Sequence, residues 1–331
     1  MSRQPKIVVT DFILEPLEIE RQVIGDAADV IALKATDESQ LQGCIEDADA
    51  IMLYHSLTIT RKTIERLKHC KLMVRCGVGY DNIDHAFAAE CNIKVANVPD
   101  YGTEEVADSA IAMTMALTRG VTRLNSVLRA GIEPWSYTQA TPLQRLRGQV
   151  FAIVGLGRIG SATAQRAKIL GMDVVFYDPY KPDGYDKAMG IRRCTTFGQL
   201  LEQAYVLSLH CPLADDTHHL INADTLKHMP QNSFLVNTAR GAIVDTNAIP
   251  DAVSTGHLAG AAIDVLETEP PDNSDPLLMA WRNPNHPAHH RVIITPHSAF
   301  YCEQGLAELR AKSAGACLDA VLDRPLRNVI N

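Results

Sequence analysis

The stretch VFAIVGLGRIGSATAQRA, residues 150–167, decides the fold. Its first five residues are an apolar run of strand length. Gly155, Gly157 and Gly160 follow in the spacing G-x-G-x-x-G, where a helical pattern begins. In a strand–turn–helix the first glycine permits the tight turn, the second lets the backbone approach a pyrophosphate, and the third lets the helix pack close to the strand. The unpaired N–H groups of the helix N-terminus then face the phosphates. Glycines serving packing alone would give the same short pattern. Asp178 separates the two readings, because it follows the next apolar run, DVVFY (173–177), where an acid can accept hydrogen bonds from an adenosine ribose. A carboxylate there repels a 2′-phosphate, so the loop reads as a site for NAD rather than NADP.

The same alternation extends in both directions. KIVV (6–9), VIAL (30–33), AIMLY (50–54), LMVRC (72–76) and IKVANV (93–98) precede the glycine loop; VLSLH (206–210), FLVN (234–237), AAID (261–264) and VIIT (292–295) follow it. Short apolar runs alternating with helix-like segments predict parallel sheets covered on both faces, the doubly wound α/β class. A turn-rich stretch, GIEPWSYTQATP (131–142), separates two such series, so two α/β units are expected. Residues 104–129 read as one long helix or two abutting ones, with an apolar face at Ala110, Ile111, Met113, Ala116 and Leu117, and 303–322 read as a final helix.

A length of 331 residues suits two domains, since single cores stop growing near ~250–300 residues. A hydrophobic share of 46% with 21% charged residues is soluble globular composition. The net charge of −8 argues against a nucleic-acid surface, and no apolar run approaches the roughly 20 residues of a membrane span. The start, MSRQPKIVVTDF, lacks the pattern of a signal peptide. Eight cysteines without a CxxC pair fit reduced thiols, so a cytoplasmic location is expected, without a disulfide framework or zinc site.

A dinucleotide domain needs a substrate and a proton donor. Among the twelve histidines, His218 and His219 follow DDT in a loop, and His286, His289 and His290 lie in the Pro/Asn-rich segment 283–291; all five read as solvated, with no metal expected. His297 differs, because in ITPHSAFY it follows a strand, and open α/β sheets bind ligands at the carboxyl ends of strands. Arg240, in LVNTARGAIVD (235–245), and Glu269, in IDVLETEP, lie beyond strands in the same way. Hydride transfer to a carbonyl builds negative charge on its oxygen, which a protonated histidine stabilises and protonates. A carboxylate beside that ring favours imidazolium. An arginine can grip the substrate carboxylate through two parallel hydrogen bonds. The competing account of these three residues is a structural ion-pair network.

GLGRIG, LVNTARGAIVD, AAIDVLETEP and ITPHSAFY, in this order, resemble the D-isomer-specific 2-hydroxyacid dehydrogenase family over essentially the whole chain. LYHSLTITR (53–61), VRCGVGYDNID (74–84), YDPY (177–180), LHCPL (209–213) and HHLIN (218–222) resemble its branch of transcriptional corepressors, the C-terminal-binding proteins. The resemblance implies an NAD-binding domain at 101–301 inserted into a substrate domain made of 1–100 and 302–331. It implies a homodimer built through the cofactor domains, for which the apolar face at 110–117 is a candidate surface. By the same resemblance the backbone of Cys76, Gly77, Val78 and Gly79 holds the substrate carboxylate, with Arg75 beside it. Arg158 and Ile159 belong to the phosphate loop, and His210, Cys211, Pro212 and Thr217 contact the cofactor. Thr238 and Ala239 flank the nicotinamide, Arg240 and His297 border it, and Asp264 meets its carboxamide side. Phe300 stands where the corepressor branch carries tryptophan, which bears on substrate size. The expected function is NAD-dependent interconversion of a small 2-keto acid and a D-2-hydroxy acid. The alternative is an NAD(H)-gated, corepressor-like protein-binding module; the absence of that branch's long tail and of basic localisation-like runs favours the enzyme.

Overall fold

A computed structural model of the protein describes residues 3–331. Twelve strands form two sheets in which every pairing is parallel, and the chain divides into two compact units. Among the described residues no helix is long and apolar enough to cross a membrane.

The first unit holds β1 (Lys6–Val9), β2 (Asp29–Ala32), β3 (Ala50–Leu53), β4 (Leu72–Arg75) and β5 (Lys94–Asn97), in the order β2-β1-β3-β4-β5. β3 and β4 are buried at every position, which is why AIML and LMVR are apolar throughout instead of alternating. The final helix, Glu303–Val321, returns to this unit and lies on β3 and β4. Arg310 on that helix pairs at 2.6 Å with Glu20, a fully buried acid on the helix Glu18–Ile24. The chain end follows, with the Ile330 N–H donating to the Val95 carbonyl at 2.9 Å.

The second unit, Thr103–Phe300, holds β6 (Val150–Val154), β7 (Asp173–Tyr177), β8 (Arg192–Arg193), β9 (Val206–Leu209), β10 (Ser233–Asn237), β11 (Leu258–Ile263) and β12 (Val292–Ile294). Their order is β12-β11-β10-β9-β6-β7-β8. The chain runs outward from β6 to β8, then crosses back to β9 on the other side. That reversal leaves a crevice at the carboxyl ends of β6 and β9, the place where such sheets take ligands. The unit boundaries fall after Gly102 and Phe300, whereas the sequence placed them after residues 100 and 301. β8 escapes a sequence reading, being two charged residues long.

Residues 104–129 form two helices, Thr103–Thr118 and Val121–Arg129, separated at Gly120 with φ +63°. One expectation needs correcting. Ala110, Met113 and Leu117 are buried within their own unit against Phe151, Ile153 and Val236, so this face is not available to a second copy. Periodicity identifies a buried face without saying what covers it. Farther along the same stretch of chain, Val121, Leu128, Ile132, Trp135 and Tyr137 are exposed.

Candidate active site

The glycine loop joins β6 to the helix Arg158–Ile169. Gly155 has φ +84°, and a Cβ there would stand 2.7 Å from the backbone of Cys211 across the strand reversal. A Cβ on Gly160 would meet the Gly155 carbonyl oxygen at 2.2 Å, so helix and loop are packed to contact. Gly157 instead faces open space, and no side chain caps the helix that starts at Arg158 and Ile159. Uncapped N–H groups beside an open backbone suit a pyrophosphate. Asp178 is nearly buried, and its carboxylate accepts the Leu156 N–H at 2.8 Å and the Tyr180 N–H at 2.9 Å. It therefore fixes the glycine loop as well as facing its mouth, and the two oxygens keep lone pairs for a ribose.

Behind this loop lie His210 and Cys211. The His210 ring makes a 2.9 Å hydrogen bond with Ser208, and burial pushes it down to about 4 although part of the residue keeps solvent contact. Burial likewise pushes the Cys211 thiol up to about 12, so this cysteine packs and does not react. Thr217 closes its own turn, accepting the Ala214 N–H and donating to the Pro212 carbonyl, both at 2.8 Å. Its position is set, but its hydroxyl is already engaged.

The His210 shift has a sign. An unfolded imidazole takes its proton near 6.5, the folded one only near about 4, so the unfolded state binds the proton first. Stability is full above the unfolded value and falls as pH drops from 6.5 toward 4, by at most about 3 kcal/mol. Urea unfolding across that range should show a shallower acid loss in His210→Asn. An unchanged slope would assign the loss to other groups.

Three strand ends carry the candidate trio. Asn237 closes β10, and its side chain accepts the Ala239 N–H at 3.0 Å and donates to the Arg240 carbonyl at 2.9 Å, shaping the turn that presents Arg240. The guanidinium donates from Nη1 to the Ala239 carbonyl at 2.8 Å. Thr238 is buried, and its hydroxyl has no hydrogen-bond partner among the described residues. It is one of five such buried atoms among the described residues, and the one that lies beside Arg240 at the end of β10, where a ligand could complete its bonding.

Past β11 and β12, Glu269 Oε2 lies 2.6 Å from His297 Nδ1, while Glu269 Oε1 accepts the Leu266 N–H at 2.7 Å. Both side chains remain partly open, 30% and 22% exposed. His297 has φ +52°, and its N–H donates to the Asp264 carbonyl at 2.8 Å. The buried carboxylate of Asp264 accepts the Ser298 and Ala299 N–H groups, each at 3.0 Å, and the Thr295 hydroxyl. It holds the histidine loop in its left-handed turn. Phe300 places its ring edge-on to His297, with centroids 6.2 Å apart. His286, His289 and His290 bind three different partners, Ser254, the Trp281 carbonyl and Ser126.

In the first unit, Arg75 ends β4 almost fully buried and donates to the Cys76 carbonyl at 3.1 Å. The expected role of Cys76 is corrected, because its N–H already donates to the Leu53 carbonyl at 2.7 Å and burial pushes its thiol up to about 12. The N–H groups of Gly77, Val78 and Gly79 have no acceptor among the described residues, so the carboxylate-binding capacity of the turn lies there. Asp11, which the sequence reading did not single out, follows β1 in the same unit. Fully buried, it accepts the Tyr54 and Ser56 N–H groups at 2.8 and 2.9 Å and the Thr10 hydroxyl at 2.7 Å; burial pushes its carboxyl up. Phe12 and Tyr80 are exposed at the same edge.

The strand reversal, glycine loop and orphan hydroxyl define the class, a dinucleotide-binding protein of two α/β units. Residues 111–299 match the family model "D-isomer specific 2-hydroxyacid dehydrogenase, NAD binding domain", and the chain belongs to that family. Over 98% of its length it is 32% identical to C-terminal-binding protein 1 of Caenorhabditis elegans, covering 44% of that protein. It is also 32% identical to D-3-phosphoglycerate dehydrogenase of Methanocaldococcus jannaschii, over 98% of this chain and 59% of that one. The chain thus spans less than two thirds of either relative. The structure of D-lactate dehydrogenase from Aquifex aeolicus, solved with NAD and lactic acid, superposes with a TM-score of 0.86 at 26% identity, covering 98% of each chain.

Proposed function

We propose that the protein is an NAD-dependent dehydrogenase interconverting a small 2-keto acid and a D-2-hydroxy acid. The observation that carries this is the 2.6 Å contact between His297 Nδ1 and Glu269, in the unit whose glycine loop fits a dinucleotide. When bound, the nicotinamide supplies or accepts the hydride. The chain's own residues do the rest. Glu269 fixes the imidazole through Nδ1, which leaves Nε2 to exchange a proton with the substrate oxygen. Arg240 offers a planar fork to a carboxylate. In the first unit, the N–H groups of Val78 and Gly79 suit the same kind of anion. Asp178 disfavours a 2′-phosphate, and Thr238 Oγ1 offers a hydrogen bond beside Ala239.

The test is a panel of 2-keto acids assayed with NADH and with NADPH. At least one acid should be reduced, with NADH preferred. Asp178→Ala should narrow that preference and weaken NADH binding as well, because Leu156 and Tyr180 lose their acceptor. Equal or better efficiency of the wild type with NADPH would sink the Asp178 assignment. The second reading, an NAD(H)-gated protein-binding module, draws on the similarity to C-terminal-binding protein 1. Tight NADH binding with no turnover of any keto acid would favour it.

The proposal includes a homodimer. Trp135 and Tyr137 are 87% and 85% exposed, and Val121, Leu128 and Ile132 precede them on the same segment. Large exposed apolar side chains along one segment support this as the surface for a second copy. Light scattering with saturating NADH should give the mass of two chains, and Trp135→Glu with Tyr137→Glu should shift it toward one. A monomeric wild type under those conditions would rule the dimer out.

A further inference from the structure

We propose that His218, His219 and Glu267 form a binding site for a divalent transition metal of the zinc class. The two histidines follow Thr217, and Glu267 lies in the segment between β11 and Glu269. Three loops are held together here. His219 donates its N–H to the Ala242 carbonyl at 2.8 Å, and a Cβ on Gly241 would stand only 2.0 Å from the Leu266 carbonyl carbon. The backbone around the cluster is therefore fixed before any ion arrives.

The donor atoms converge. His219 Nε2 lies 3.0 Å from one Glu267 oxygen and His218 Nε2 3.7 Å from the other, and all three donor atoms fall within 4.8 Å of one another. The two rings stack with centroids 4.1 Å apart and planes at 25°. His219 has the left-handed backbone, φ +47°. Tetrahedral zinc with bonds of ~2.0–2.1 Å wants its ligands about 3.3 Å apart and in the plane of each ring, so binding one ion requires these partly exposed rings to rotate out of their stack. Two imidazoles and one carboxylate suit zinc or its first-row neighbours, not calcium or magnesium, which prefer oxygen. The remaining position would hold water. Glu267 also lies two residues before Glu269, whose Oε1 accepts the Leu266 N–H, so an ion here clamps the segment that carries the catalytic candidate.

Isothermal titration of the full chain with zinc chloride tests this, alongside melting curves with and without zinc. The wild type should bind one zinc per chain and melt at a higher temperature with it. Glu267→Gln should weaken binding by more than about tenfold. His218→Ala with His219→Asn, the asparagine tolerating the left-handed backbone, should abolish both binding and the thermal shift. A zinc-free melting temperature near that of the wild type verifies that the double variant is folded, and Glu267→Gln carries the test if it is not. The ten other histidines remain in every variant. Equal zinc uptake by wild type and variants, or none by the wild type at millimolar zinc, would overturn the proposal.

Discussion

Replacing His297 with alanine is expected to lower kcat by roughly 10²–10⁴-fold while NADH still binds. In the proposed reaction the imidazole carries the proton exchanged with substrate, whereas the variant leaves the glycine loop, Asp178 and Thr238 in place for the nucleotide. Glu269→Gln should act differently. At 2.6 Å the carboxylate holds Nδ1 and so sets the orientation of the ring. A neutral amide holds it more weakly, so kcat should fall, but by less than in His297→Ala, with NADH affinity near that of the wild type. Steady-state kinetics and NADH titrations of both variants supply the check. An unchanged kcat in Glu269→Gln would remove Glu269 from its role, and wild-type turnover by His297→Ala would remove the histidine.

The readable part of this site follows from strand ends. VFAIV, the glycine spacing and Asp178 were legible because each is local, and Arg240, Glu269 and His297 because each follows an apolar run. The meeting of Glu269 with His297 depends on β11 and β12 being neighbours in the sheet, which no local pattern states. The bonds of Asp264 to residues 295–299 were hidden for the same reason, since a strand-end carboxylate gives no local sign that the returning chain meets it. Asp11, past β1, has the same kind of buried, hydrogen-bonded carboxylate. The resemblance names the backbone of residues 76–79 together, but the register of β4 against β3 takes the Cys76 N–H and leaves those of Gly77, Val78 and Gly79. Histidines were read one loop at a time, so the convergence of His218 and His219 on Glu267, 48 residues beyond His219, stayed hidden.

Arg240→Ala is expected to lower kcat/KM by on the order of 10²–10⁴-fold, chiefly through a higher KM. The estimate follows from losing two hydrogen bonds between charged partners, each contributing roughly 1.5–3 kcal/mol. Some loss of kcat should accompany it, since a loosely held acid seldom presents its carbonyl in reacting geometry. Arg240→Lys should recover only part, because an ammonium restores the charge without the planar fork. A structural role predicts something else. The backbone carbonyl of Arg240 is held by Asn237 and survives either substitution, whereas the Nη1 bond to the Ala239 carbonyl is lost in Arg240→Ala. If that bond were the purpose of the side chain, the melting temperature and NADH affinity would fall together and KM would move little. Steady-state kinetics on both variants, with melting curves and NADH titrations, separate the two accounts. A KM left unchanged in Arg240→Ala would deny the guanidinium any part in holding the acid.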